Sequence, residues 1–239
     1  MKSICITALF ALSAIYAPHS VGQEPLGDVP SVRPDDVQNI LISAQKNRET
    51  AQDNVSLIAK YQAENKTGCI DGDCHNGFGT FINASGNYYK GPHKSSVPDG
   101  LGHYIWASGD SYKGNFTRGE QDGQGTYLTA NGDKYSGEFK TGKPSGQGTY
   151  YFASGDKYTG HHEGGEVNGF GTYYSADGWV YVGDHVNRVS EGQGTYYFAN
   201  GQKYVGAFKD NAFNGYGIAY FPNGDIAHKG LWRDNQPSK

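Results

Sequence analysis

Hydrophobic and polar positions follow two different periods along the chain. Between residues 35 and 65, apolar residues recur every three or four positions, as on one face of an α-helix. They are Val37, Ile40, Leu41, Ala44, Ala51, Val55, Ile58 and Ala59. From residue 66 onward, short runs alternate between apolar and polar residues and are interrupted by glycine, which is typical of strands joined by turns. The pattern therefore predicts a helical segment over residues 35–65, followed by β-structure to the end of the chain.

The helical segment has recognisable ends but a thin apolar stripe. Pro34, followed by two aspartates, suits a helix start, and Gly68 lies beyond the end. We expect one long helix, or two helices broken near Asn47. Four apolar residues are spaced by seven, namely Val37, Ala44, Ala51 and Ile58. We expect this stripe to pack on the first repeats and to cover an open sheet edge. Self-association of the helix, or docking of a partner on it, stays open.

The β-part is a repeat with a step of 23 residues. Three elements recur at this step: a Gly-x-Gly pair, a single glycine and a Tyr-x-Gly pair. The pairs begin at Gly77, Gly100, Gly123, Gly146, Gly169, Gly192 and Gly215. The single glycines are Gly86, Gly109, Gly132, Gly155, Gly178, Gly201 and Gly224. The Tyr-x-Gly pairs begin at Tyr89, Tyr112, Tyr135, Tyr158, Tyr181 and Tyr204. We therefore predict seven repeats over residues 66–239, the terminal ones degenerate.

One repeat reads as a hairpin. In the third repeat we expect a strand over Gly123–Thr129, a turn over residues 130–132, a strand over Asp133–Phe139 and a connection over Lys140–Ser145. Asn131-Gly132 suits a three-residue hairpin loop in which glycine takes the left-handed conformation. A two-residue Asn-Gly loop would shift the pairing and stays open.

The three-residue loop fixes which residues face each other. It places Tyr127 opposite Tyr135, and Gly125 opposite Gly137. Because side chains alternate along a strand, glycines and aromatic rings then share one face of the sheet, where glycine leaves room for neighbouring rings. The structural glycines predicted on this basis are Gly123, Gly125, Gly132, Gly137, Gly146, Gly148, Gly155 and Gly160. By the same pairing, Gly146 lies opposite His162.

Seven such hairpins predict an all-β repeat fold: an elongated single-layer antiparallel β-hairpin meander of about 14 strands, preceded by an N-terminal α-helix. Its aromatic stripe is the candidate binding surface, for which packing of the rings on each other is the competing interpretation. The residues of the stripe are Tyr104, Trp106, Tyr127, Tyr150, Phe152, Tyr173, Tyr196, Phe198, Tyr112, Tyr135, Tyr158, Tyr181 and Tyr204. A protein partner or a second copy, a lipid headgroup and a glycan are the three ligands considered.

Charge narrows the range of partners. The chain has a net charge of −4, and residues 66–239 hold 15 Lys and Arg against 17 Asp and Glu. A nucleic-acid-binding protein requires a basic surface, so nucleic acid is excluded as a partner. Because no cluster of basic residues is present, binding to an anionic membrane surface is disfavoured. Glycine is abundant, at 36 of 239 residues, and it is concentrated in the repeats.

The first 34 residues predict export. Lys2 precedes an apolar run over residues 4–17, which is too short to span a membrane, so residues 1–22 are expected to be a signal peptide. Residues 23–34 contain three prolines and are expected to be a linker. The mature chain would be periplasmic, secreted or in the cell envelope. Cys69 and Cys74 would be its two cysteines, and in an oxidising compartment their even number and close spacing predict one disulfide.

The repeat resembles the MORN repeat (membrane occupation and recognition nexus). The resemblance is carried by Tyr-x-Gly-x-Phe at residues 135–139 and Gly-x-Gly-x-Tyr at residues 146–150, and it extends over residues 66–239. His93, His162 and His185 depart from the motif, which has Phe there. The resemblance implies an elongated single-layer sheet with interaction or scaffolding roles, including dimerisation, and a proposed link to membrane phospholipids.

No catalytic residue, metal ligand or cofactor is predicted. Residues outside the predicted signal peptide, the helix and the repeats are expected to form only linkers, which leaves no room for the lipid kinase or methyltransferase domain that accompanies such repeats in some proteins. The histidines are expected to take the place of Phe in the aromatic columns. The Asp that follows several turn glycines is assigned to turn chemistry rather than to calcium binding. The sequence therefore predicts a non-enzymatic interaction module.

Overall fold

The computed structural model describes residues 34–238, with side chains from residue 38 onward. The predicted signal peptide over residues 1–22 lies outside the described residues, as does the predicted linker except for Pro34.

The described residues form one helix and 17 strands. The helix α1 is Pro34–Ala63. The strands are β1 Gly68–Gly72, β2 Phe78–Ile82, β3 Tyr88–Lys94, β4 Val97–Pro98, β5 Gly100–Ile105, β6 Ser111–Thr117, β7 Glu120–Leu128, β8 Lys134–Lys140, β9 Lys143–Tyr151, β10 Lys157–Glu163, β11 Glu166–Tyr174, β12 Val180–Val186, β13 Val189–Tyr197, β14 Lys203–Lys209, β15 Ala212–Tyr220, β16 Ile226–Arg233 and β17 Gln236–Pro237.

The strands form one antiparallel meander, as the sequence predicts. Each strand pairs with the next along the chain, except that β3 pairs with both β4 and β5. The strand number exceeds the predicted 14 because β1 precedes the first glycine pair, and because β4 and β17 are separate two-residue strands at turn ends. The predicted fold class is confirmed.

The three-residue loops close as predicted. In the loop between β7 and β8, the Gly132 amide donates to the Thr129 carbonyl at 2.9 Å, and the Thr129 amide donates to the Asp133 carbonyl at 2.9 Å. Gly132 has φ 96°, a left-handed conformation that glycine adopts without strain. Tyr127 pairs with Tyr135, and Gly125 pairs with Gly137, so the predicted register is confirmed.

The connection predicted over Lys140–Ser145 is wrong. β8 continues to Lys140, and β9 already begins at Lys143, so only Thr141 and Gly142 form the turn. Both have positive φ, 48° and 77°, as in a type I′ hairpin turn. The extra strand residues are accommodated by a bulge, in which Glu138 faces residues 145–147. The sequence signal is weak because glycine occupies the second turn position in only three repeats, at Gly119, Gly142 and Gly165.

α1 is one unbroken helix, and it does not cover the sheet edge. Its described buried positions follow a 4-3 spacing: Ile40, Ala44, Asn47, Ala51, Asn54 and Ile58. Four helix residues, each seven apart, contact four successive loop glycines. The contacts are Gln62 with Gly86, Val55 with Gly109, Arg48 with Gly132 and Leu41 with Gly155. α1 therefore crosses the strands along the row of three-residue loops.

Matching dimensions explain this position. Seven helix residues rise about 10.5 Å, and the two strands of one repeat span about 9.6 Å. Each heptad of α1 thus advances with one repeat. Leu41 and Val55, two of the apolar residues at helical spacing, remain 42% and 46% exposed because they lie beside the loops rather than over the strands. A buried hydrogen bond from Asn54 Nδ2 to Ser111 Oγ, 2.9 Å long, fixes the register.

The sheet face that α1 contacts carries a row of side chains next to the three-residue loops. In this row, Ile82 and Ile105 pack against Ile58 of the helix. Farther along the row, three Lys ammonium groups lie over Tyr rings, 4.1–5.0 Å from the ring centroids, and such contacts are favourable. The opposite face, which we call the groove face, carries the aromatic stripe.

Candidate functional site

Five tyrosines form the floor of the groove face, and we call them the inner tyrosines. They are Tyr112, Tyr135, Tyr158, Tyr181 and Tyr204. Each hydroxyl donates to the backbone carbonyl three residues farther along its own strand, at 2.9–3.2 Å. Each ring therefore lies along the backbone, which explains why the motif needs glycine two residues after the tyrosine. A Cβ atom at Gly148, on the next strand, would lie 2.5 Å from Tyr135 Cζ.

The inner tyrosines do not belong to the contact surface. They are at most 2% exposed, and burial raises the pKa of Tyr112, Tyr135, Tyr158 and Tyr204 to about 12. The prediction that places them on a binding surface is therefore wrong, and they form the core. Alternation along the strand correctly predicts the sheet face on which these rings lie. It does not predict their burial, because that depends on the aromatic rings that pack over them from neighbouring strands.

The second aromatic row lies nearer the three-residue loops, and we call it the outer aromatic row. It contains Tyr104, Trp106, Tyr127, Tyr150, Phe152, Tyr173, Trp179, Tyr196 and Phe198. All except Tyr196, which is 3% exposed, are half-buried and border the groove. Their rings touch one another: Trp106 lies between Tyr104 and Tyr127, with centroid distances of 4.6 and 5.5 Å. The part of the predicted surface that remains available is this outer row.

The histidines take the place of Phe, as predicted. His162 is edge-to-face with Tyr135 and Tyr158, and His185 with Tyr158 and Tyr181, at 4.8–5.3 Å. Burial lowers the pKa of both His162 and His185 from 6.5 to about 4, so both rings are neutral at pH 7. Within the described residues, His162 Nε2 and His185 Nδ1 have no hydrogen-bond partner.

Two cavities open on the groove face. The larger, about 630 Å³, extends from Phe152 to Asn211, and the smaller, about 400 Å³, lies between Trp106 and Tyr150. In the larger cavity, one wall comes from the three-residue loops and the outer aromatic row. The opposite wall comes from the two-residue turns and includes Val167 and Val189. A volume of this size is in the range of known ligand pockets.

Trp179, which the sequence reasoning missed, lines the larger cavity. It is stacked between Tyr173 and Tyr196, 5.2 Å from each, with interplanar angles of 15° and 20°. Its position in the repeat is the one that follows the turn glycine. A comparison of that column would have found it, because the three preceding repeats have Asp110, Asp133 and Asp156 there.

Those aspartates join neighbouring repeats. Asp133 accepts a hydrogen bond from the Ala153 amide at 2.7 Å, and Asp156 accepts one from the Ala176 amide at 2.9 Å. Asp156 also accepts a hydrogen bond from the Tyr173 hydroxyl at 2.9 Å. These aspartates therefore do more than shape their own turn, because each carboxylate also holds the three-residue loop of the next repeat in place.

The charges around the larger cavity are unequally distributed. Asp156 and the exposed Asp177 lie on the wall formed by the loops. Arg188 lies on the opposite wall, where its Nε is 2.6 Å from Glu166 Oε2. Since that ion pair neutralises the one basic group, the uncompensated charge at the mouth is negative.

Cys69 and Cys74 form the predicted disulfide, with a Cα–Cα distance of 5.8 Å, at the edge strand β1. Within residues 34–238, no group of three or more His, Cys, Asp or Glu side chains is arranged to hold a metal ion. No helix in the same range has the length and apolar character needed to cross a membrane.

Comparison with known proteins identifies the repeats. The profile of one family, described as MORN repeat, matches six stretches: residues 94–111, 112–134, 135–157, 158–180, 189–203 and 204–226. Together they span just over half of the chain. No curated protein matches the chain.

Proposed function

The chain belongs to the MORN repeat family, and on that premise we propose that it is a non-enzymatic interaction module whose groove face binds a segment of a protein partner. The observation that carries this proposal is the larger cavity, bordered by the half-buried outer aromatic row and by valines of the opposite wall. Half-buried aromatic and aliphatic surface of this kind is typical of protein interfaces.

Ring geometry favours a polypeptide over a glycan. Sugars bind to the faces of aromatic rings, whereas both faces of Trp179 are occupied by Tyr173 and Tyr196. The cavity is also bordered by the aliphatic side chains of Val167 and Val189, and these surfaces suit an apolar side chain of a polypeptide.

Charge disfavours a phospholipid headgroup. The repeat region holds more Asp and Glu than Lys and Arg. Arg188, the basic group that lines the larger cavity, is already paired with Glu166. An anionic phosphate would therefore meet a negative mouth.

Export of the chain is part of the proposal. The support is the charged start and apolar run within residues 1–22, together with the disulfide between Cys69 and Cys74, a bond typical of oxidising compartments. A fusion of the full chain to alkaline phosphatase, which is active only after export, tests it. Activity that depends on residues 1–22 is expected, and equal inactivity with and without them would contradict export.

The function is tested by capture on the immobilised chain from an extract of the source cells. We expect the bound material to be destroyed by protease and to resist glycosidase and lipid extraction. Pelleting of the purified chain with anionic liposomes at physiological salt would instead support lipid binding. Turnover of ATP or phosphoinositides by the purified chain would contradict the non-enzymatic part.

A further inference from the structure

Trp179 departs from the rule of its repeat. The residue at the same position in three other repeats is an Asp that accepts a backbone hydrogen bond from the next turn, at 2.7–2.9 Å. An indole ring has no acceptor, so this link between repeats is lost at Trp179. A sequence that otherwise follows local rules is expected to break them where function requires it.

Instead of making this hydrogen bond, the residue at this position lines the larger cavity. Trp179 contributes to one wall of the cavity together with Phe152 and Tyr173. At the floor lies His185, which is 5% exposed. A cavity of this size with aromatic and aliphatic walls is typical of a ligand site.

The next repeat shows how the same part of the groove is closed without a ligand. Ser190 and Tyr196 of the cavity region correspond, one repeat later, to Phe213 and Ala219. Phe213 is fully buried and stacks on Tyr204 with a centroid distance of 3.9 Å. An aromatic side chain of the protein itself therefore fills the groove there, which indicates the kind of group that the groove accepts.

The charge at the mouth adds a second requirement. Asp156 is occupied by hydrogen bonds from Ala176 and Tyr173, whereas Asp177 is exposed at the tip of its loop. With Arg188 paired to Glu166, Asp177 is the charged group of this mouth that is available to a ligand. A basic group of the ligand is complementary to it.

We propose that the cavity at Trp179 receives one bulky apolar side chain of the partner polypeptide, and that a Lys or Arg next to this side chain lies against Asp177. The proposal rests on the polypeptide-binding function proposed above and assigns the anchor of that function to a single repeat.

The test uses the full chain and a displayed library of random short peptides. Enriched peptides are synthesised with a fluorescent label, and their affinity is measured by anisotropy. We expect enriched sequences to combine an aromatic or large aliphatic residue with an adjacent Lys or Arg. Trp179→Asp, which restores the residue typical of the repeat, should weaken binding about tenfold or more, as for an interface anchor. Asp177→Lys, on an exposed loop, should weaken binding by about tenfold and remove the preference for basic peptides.

Gln202→Asp is the matched control, because it introduces the same residue at the same repeat position one repeat away from the cavity. It should change the affinity less than twofold. Enriched peptides that bind Trp179→Asp and Asp177→Lys as tightly as the unmodified chain would overturn the assignment of the anchor and leave polypeptide binding intact. Failure to enrich any peptide over an unrelated protein would overturn both proposals. Circular dichroism confirms folding of each variant, and Asp177→Lys alone decides if Trp179→Asp does not fold.

Discussion

Replacement of the two buried histidines by phenylalanine should remove most of the acid sensitivity of the fold. His162 and His185 occupy a column that holds Phe139 and Phe208 in other repeats, where the rings are 4% exposed and edge-to-face with tyrosines. The double variant His162→Phe/His185→Phe should therefore keep the native packing. It removes two ring nitrogens that have no partner among the described residues, but it also breaks the 3.2 Å hydrogen bond between His162 Nδ1 and the Gly160 carbonyl. At pH 7.5 its unfolding free energy should therefore lie within about 1 kcal/mol of that of the unmodified chain.

The pH dependence follows from the direction of the pKa change. Burial lowers the pKa of each histidine from 6.5 to about 4, so between these values the unfolded chain binds more protons than the folded chain. The stability of the unmodified chain is thus fully present above pH 6.5 and is lost as pH falls toward 4. Since one pKa unit corresponds to about 1.4 kcal/mol, each histidine costs about 2 kcal/mol at pH 5, or about 4 kcal/mol for both.

Urea unfolding at pH 7.5, 6.5, 5.5 and about 5, followed by circular dichroism, measures this difference. We expect the stability advantage of the double variant to grow by about 4 kcal/mol from pH 7.5 to pH 5. Contributions of Asp and Glu titration are common to both proteins and cancel in the comparison. The converse variant Phe139→His should gain the same acid sensitivity. Parallel stability profiles for the unmodified chain and the double variant would refute the reasoning.

Four further substitutions test the packing of the repeats. Gly148→Val should lower the unfolding free energy by about 3 kcal/mol because its side chain overlaps an inner tyrosine, whereas Thr159→Val on the opposite face should have little effect; equal melting temperatures would contradict this. Asp133→Ala should cost about 2 kcal/mol by removing the inter-repeat hydrogen bond, measured by urea unfolding. Ala51→Leu should cost about 1–3 kcal/mol in thermal unfolding, because this fully buried helix position has no spare volume. Cys74→Ser should cost about 2 kcal/mol by opening the short loop, and an unchanged urea midpoint would argue against the disulfide in solution.

The regular features of the fold could be predicted because each has a local cause. The loop at Gly132 needs a residue with positive φ, and the sequence places glycine at that point in every repeat. The pairing of Tyr127 with Tyr135 then follows from loop length alone. Because the turn glycine and the loop length recur in seven repeats, a deviation in one repeat does not hide the pattern.

The two-residue turns were not predicted because the residues at their two positive-φ positions vary between repeats. The second position is glycine in three repeats, at Gly119, Gly142 and Gly165, and asparagine in two, at Asn211 and Asn235, but it is Ser96 or Arg188 in others. Gly, Asn and Asp adopt this conformation readily, whereas Thr141 and Arg188 are held in it by the hydrogen bonds of the flanking strands. Similarly, the path of α1 depends on the agreement between helix rise and strand spacing, which no single residue encodes.

The sequence predicted which face of the sheet carries the candidate site but not which repeat along that face. Alternation along the strands puts inner and outer aromatic residues on the same side, and only packing separates the buried Tyr158 from the half-buried Phe152. The larger cavity lies where one repeat departs from the others, because Trp179 occupies a position that holds Asp in the three preceding repeats.

The proposal on which the others depend is that the groove face, and not the opposite face, binds a polypeptide. Its most direct test is site-specific photo-crosslinking in the source cells, with benzoylphenylalanine in place of Asn187 at the cavity or of Thr159 on the opposite face, both of which are exposed. Crosslinked products are identified by mass spectrometry. We expect a defined protein crosslinked from Asn187 and none from Thr159. Crosslinks to lipid or glycan from Asn187, or the same protein crosslinked from both positions, would contradict it.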